Sequence, residues 1–137
     1  MNKALNLLGI ARKAQRLAIG EEPAGIACRQ GHARLLLIAK DAGDHTFRRA
    51  RSYCRTGKPA YICAPFTKEE LGNALGLNAC ALCAVLDAAL AKAFLETLDE
   101  PEKYQTILDD LDRQVQRVEK RRQEEKAHRK NVKFGKK

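Results

Sequence analysis

Leu35-Leu36-Leu37-Ile38-Ala39 is an unbroken apolar run, preceded by Gly31-His32-Ala33-Arg34 and followed by Lys40-Asp41-Ala42-Gly43-Asp44. It is short for a helix and has no polar position on either face. It therefore reads as a strand covered on both sides. A strand of that kind asks for helices above and below a sheet, and the flanking sequence provides them.

Upstream, Ala4, Leu7, Leu8, Ala11 and Ala14 recur at helical spacing, with Arg12, Lys13 and Arg16 toward another face. Gly20 ends that unit, and Glu21-Glu22-Pro23 opens a second helix. Acids there suit the helix dipole, and proline sits where no amide bond is lost. Gly31 closes this helix. Downstream, Asp44 is a plausible N-cap for a helix with Phe47, Ala50 and Cys54 on one side and Arg48, Arg49, Arg51 and Arg55 elsewhere. Gly57-Lys58-Pro59 breaks it, and Ala60 to Ala64 is a second strand. Thr67 and Glu70 have capping-box spacing for a short helix interrupted by Gly72 and Gly76.

Ala81 to Leu86 is a third apolar run. Periodicity alone would allow one helix through Phe94. The alternation before it favours a strand, a turn at Asp87 and then a helix. After Asp99-Glu100-Pro101 the character changes. Tyr104, Ile107, Leu108, Leu111, Val115 and Val118 form a thin stripe on a long charged helix, and Glu125 precedes Arg129 at a pairing distance. The expected division is a layered domain over 1–98 and a basic helical tail over 99–137, packed at its start and solvated or frayed at its end.

The 137 residues carry 26 Lys+Arg against 17 Asp+Glu, a formal charge of +9. Residues 101–137 hold 12 basic and 7 acidic side chains, and nothing acidic follows Lys126. Such a surplus favours polyanionic partners through long-range attraction and counterion release. The longest apolar run, Ala79 to Leu86, is far short of the ~18 residues of a membrane span. Met1-Asn2-Lys3 leads directly into an amphipathic pattern, so no signal segment is expected. Five cysteines at irregular spacing do not suggest a disulfide framework. The expectation is a soluble, cytoplasmic monomer that does not engage a membrane.

Catalytic signatures are scarce. Cys80-Ala-Leu-Cys83 has no second cysteine pair for zinc, and on a strand these thiols would point to opposite faces. Cys28, Cys54 and Cys63 fall on predicted apolar faces. All five are read as inert buried thiols, with no metal and no cofactor. His32, His45 and His128 are scattered among loops and the tail. No GxxxxGK[ST], GxGxxG or GxSxG occurs. An enzyme working through Cys80 or Cys83 would lack an activating base. Four Phe and three Tyr with no Trp disfavour an aromatic stacking platform. What is left is RNA recognition through main-chain amides, helix termini and loop side chains, with Gly20 and Gly76 permitting close approach.

Taken together, Leu7-Leu-Gly-Ile-Ala-Arg-Lys-Ala14, Ile19-Gly-Glu-Glu22, Leu35-Leu-Leu-Ile-Ala-Lys-Asp-Ala42 and Thr67-Lys-Glu-Glu-Leu-Gly72 resemble the L7Ae-type ribosomal protein family, near its bacterial YlxQ-like branch. The resemblance spans roughly residues 4–96. It implies a three-layer α/β/α sandwich around a small mixed sheet, and a non-enzymatic RNA-binding protein whose relatives grip kink-turns. It also implies three RNA-holding segments: Gly20-Glu21-Glu22-Pro23, Lys40-Asp41 and Leu77-Asn78-Ala79. Arg12, Lys13 and Arg16 would add phosphate contacts beside them. Kink-turn binders carry Asn-Glu with a lysine three residues later, whereas this chain has Glu22-Pro23 and then Ile26, so the motif is degenerate. The implied partner is structured RNA such as rRNA, and with it the ribosome. The alternative is a translation-associated adaptor whose Tyr104–Val118 stripe docks a partner helix.

Overall fold

The computed structural model describes residues 2–57 and 59–135, with side chains over 2–55 and 59–128. The pairing of Glu125 with Arg129, the breaker at Lys58 and the side chains of the acid-free end beyond His128 lie outside the described residues.

The elements follow in chain order. They are α1 (Lys3–Lys13), β1 (Leu17–Ile19), α2 (Glu21–Arg29), β2 (Leu35–Ile38), α3 (Asp44–Gly57), β3 (Ala60–Cys63), α4 (Lys68–Ala74), β4 (Leu82–Val85), α5 (Ala88–Thr97) and α6 (Pro101–Gly135). The strands lie in the order β1-β4-β2-β3. β4 runs antiparallel to both β1 and β2, while β2 and β3 are parallel, so the sheet is mixed as expected.

Strand side chains alternate between two cores. Leu35 and Leu37 of β2, with Cys83 and Val85 of β4, join Leu8, Leu71, Phe94 and Tyr104 on one side. Leu36, Ile38, Leu82 and Ala84 pack with Ala24, Cys28 and Ala50 on the other. All four residues of β2 are fully buried, which is why the run contains no polar position. The result is the expected three-layer sandwich: α2 and α3 cover one face, and α1, α4, α5 and α6 line the other.

Local chemistry sets the element ends. The Asn2 side chain accepts from the Ala4 and Leu5 amides at the start of α1. Thr67 and Glu70 form the anticipated capping box on α4. Asp87 caps α5 through the Leu90 amide. At α3 the Gly43 carbonyl already accepts from the Thr46 and Phe47 amides, so Asp44 lies inside the first turn rather than before it. Strand β1 was not anticipated. It spans only Leu17–Ile19 and supplies the partner that the outer edge of β4 needs.

In α6, Tyr104 and Leu111 are buried in the same core as Phe94, and Lys92 of α5 pairs with Asp112 at 2.9 Å. From Glu119 to His128 every side chain is exposed. The apolar stripe therefore serves the chain's own body, which takes its deepest residues away from an adaptor role.

Two expectations about cysteines need correction. Cys63 is exposed, because β3 is the outermost strand and the two-helix layer on that side leaves it uncovered; neighbouring Tyr61 is 40% exposed. Cys80 and Cys83 do interact. Cys80 precedes β4 rather than lying in it, so strand alternation does not separate the two sulfurs. A hydrogen bond between them lowers the Cys80 thiol and, together with burial, raises Cys83.

Candidate functional site

The site is built at the end of the sheet where β1 and β2 finish and β4 begins. Gly20 follows β1 with φ +101°, a backbone state that suits glycine, and starts α2. Its amide donates to the Leu82 carbonyl at 2.9 Å, and the Ala39 amide after β2 donates to the Ala81 carbonyl at 2.9 Å. The segments around Gly20, Lys40 and the residues before β4 are thus tied to one another through the main chain. Sequence order alone does not show that convergence.

The loop before β4 is braced from below. The Leu77 amide donates to the Gly72 carbonyl at 2.7 Å and the Cys80 amide to the Lys68 carbonyl at 2.9 Å. A Cβ on Gly72 would stand 2.6 Å from the Ala79 Cα and N, so glycine is what lets α4 approach the loop. Bracing of this kind leaves Leu77, Asn78 and Ala79 exposed, with Leu77 presenting an apolar side chain to solvent. The buried Cys80 thiol donates to the Leu82 carbonyl at 3.5 Å, the same carbonyl that accepts from the Gly20 amide.

The charged members of the site are unequally free. Glu21 is engaged by α3: its carboxylate accepts from the Thr46 hydroxyl at 2.9 Å and pairs with Arg49 at 2.9 Å. Glu22 is exposed. Asp41 accepts from the Lys68 amide at 2.8 Å and so fastens the start of α4 to the end of β2. Lys40 is exposed, and its charge helps hold the neighbouring Glu70 carboxyl below its ordinary range, after the larger effect of the Thr67 amide. Thr46 and Arg49 thus shape the site without any motif to announce them, while Asp41, part of the expected Lys40-Asp41 segment, serves as a fastener.

The three cations expected beside the loop do not form one group. Arg12 donates through a guanidinium nitrogen to the Leu75 carbonyl and lies against Gly76, behind the loop. Lys13 is exposed on α1, in a shallow cleft with Ile10, Glu70 and Asn73. Arg16 stands at the start of β1, where its carbonyl accepts from Leu86, at the opposite end of the sheet from Gly20. His32, His45 and His128 are exposed. Among the described residues no group of three His, Cys, Asp or Glu side chains could hold a metal ion, and no helix is long and apolar enough to cross a membrane.

Comparisons with known proteins agree with this architecture. Residues 2–95 match the model of the ribosomal protein L7Ae/L30e/S12e/Gadd45 family. The RNA-binding protein YlxQ of Bacillus subtilis is 30% identical over 97 residues, covering 68% of this chain and 92% of that protein. A solved structure of a protein of unknown function from Bacillus halodurans superimposes with a TM-score of 0.66 at 29% identity, over 73% of this chain and all of that one. A 15.5 kD RNA-binding protein of Giardia lamblia shares the fold, with a TM-score of 0.56 at 23% identity over 72% of this chain and 84% of its own.

Proposed function

Because the chain belongs to the ribosomal protein L7Ae/L30e/S12e/Gadd45 family, we propose that it is a non-enzymatic RNA-binding protein of ribosomal type that holds structured RNA at the Gly20–Lys40–Leu77 end of its sheet. The observation that carries this reading is the convergence of three segments there. They are the open N-terminus of α2, the exposed Lys40 and the braced, solvent-facing Leu77-Asn78-Ala79 loop. Free amides at a helix start suit phosphate or base acceptors, an exposed ammonium suits phosphate, and an apolar loop suits a splayed base. The RNA-binding name carried by YlxQ supports the same reading.

In this account Gly20, Glu21, Glu22, Lys40, Leu77, Asn78 and Ala79 form the contact surface. Lys13 adds charge at its margin, and Arg12 positions the loop from behind. Kink-turn selectivity is weakened. Ile26 is 42% exposed where kink-turn binders carry lysine, and Glu21 is occupied by Thr46 and Arg49. The chain acts as a cytoplasmic monomer on rRNA or a kink-turn-like element. Five free cysteines fit a reducing compartment.

The test is a filter-binding titration of a kink-turn, a mismatched hairpin and rRNA against the native chain and the Lys40→Glu and Leu77→Asp variants. Saturable binding that drops about 10-fold or more in either variant is expected, on the scale of one lost charged or stacked contact. Indifference of the native chain to all three RNAs at low salt overturns the reading.

A further inference from the structure

Arg16, displaced from the loop end, lies in a second cationic site. A cleft of about 180 Å³ opens between the start of β1, the start of β2, the N-terminus of α5 and the middle of α6. Arg16, Arg34 and Arg122 line it, one from each of three separate stretches of chain. Arg34 is steered by a hydrogen bond from its guanidinium to the Gln114 side-chain oxygen at 3.3 Å. None of the three arginines belongs to an ion pair among the described residues, although Glu21–Arg49, Asp112–Lys92 and Asp110–Arg113 pairs form elsewhere. Two carboxylates, Asp87 and Glu119, also line the cleft. Asp87 accepts from the Leu90 amide, and three arginines against two carboxylates leave the cleft with a net charge of +1.

The two carboxylates answer part of this charge from within the cleft without forming a close ion pair with any of the three arginines, which leaves guanidinium donors free for an anion. Guanidinium forks match phosphate oxygens in geometry as well as in charge. Ala88 and Ala89, in the first turn of α5, line the same cleft, and a helix start carries amides without intrahelical partners. We propose that this cleft binds a backbone phosphate of RNA, as a second contact remote from the loop end.

The two sites are joined by β1, an edge strand with Arg16 before it and Gly20 after it. Four residues of extended chain span about 13 Å, so one RNA strand following this edge reaches both ends. Arg122 lies beyond residues 2–95, so the α6 wall of the cleft is not part of what the family model matches.

This proposal rests on the RNA-binding reading, and its test separates the two. RNA affinity is measured over a salt series for the native full-length chain and for the Arg122→Glu, Arg16→Gln and Arg122→Lys variants, with circular dichroism reporting the fold. Expected are a several-fold loss of affinity in Arg122→Glu and Arg16→Gln, a salt slope shallower by about one for each positive charge removed, and in Arg122→Lys recovery of the slope with only part of the affinity. Native binding with unchanged affinity and slope in both variants overturns the cleft while leaving the loop site standing. A native chain that binds no RNA overturns both. In a separate arm inorganic phosphate is titrated while the arginine side-chain NMR signals are followed. Micromolar saturation with RNA binding intact in the variants assigns the cleft to a small anion and overturns the RNA assignment.

Discussion

Gly72 is the residue on which the shape of the loop turns. A methyl group there meets the Ala79 main chain at 2.6 Å, and main chain on both sides has nowhere to yield. Gly72→Ala is expected to destabilise the fold by about 1–3 kcal/mol, the usual cost of overpacking. It should also weaken RNA binding, because the displaced loop carries Leu77. Urea unfolding paired with an RNA titration checks this, and an unchanged midpoint contradicts the close approach. Thiol reactivity makes a second residue-scale forecast. Burial, with a smaller contribution from Cys28, pushes the Cys54 thiol up to about 12, while Cys63 is exposed on the edge strand. Timed alkylation read by mass spectrometry should label Cys63 first and Cys54 slowly, and the reverse order would contradict the edge placement of β3.

At the scale of the element, α4 depends on its capping box. The Glu70 carboxyl sits below its ordinary value because it accepts from the Thr67 amide. A lowered folded-state value contributes stability above the ordinary carboxylate range, and this is lost as pH falls through the lowered value. Glu70→Gln should therefore lower the unfolding midpoint at neutral pH and shrink its fall on acidification. Parallel pH-dependence in the two proteins would contradict the cap. Helix α6 offers a contrast between its faces. Leu111→Ala, at a fully buried position, should cost about 2–5 kcal/mol, whereas Arg117→Ala on the exposed face should change stability by less than about 0.5 kcal/mol. Thermal or urea unfolding measures both.

Legibility from sequence followed the length of each signal. Leu35–Ala39 and Ala81–Leu86 revealed their strands because burial on both faces removes polar residues from the whole run. Thr67 and Glu70 revealed a helix start because the cap needs those groups at that spacing. Leu17-Ala18-Ile19 is too short for alternation to register, and its reason for being a strand lies in β4, more than sixty residues away. The site shows the same limit. Its three segments could be named, but the engagement of Glu21 by Thr46 and Arg49, the Arg12 brace and the transfer of Arg16 to the far end are tertiary facts without local pattern.

For the whole molecule, the account rests on RNA meeting the sheet at the end that gathers Gly20, Lys40 and Leu77. The most direct measurement is amide NMR of the full chain during titration with a structured RNA. The largest shift changes are expected at Gly20–Glu22, Lys40 and Leu77–Ala79, with a second set at Arg16 and Arg34 and little change at Tyr61 or Cys63 on the opposite edge strand. Saturable binding that leaves the amides of the loop end unmoved would contradict the account.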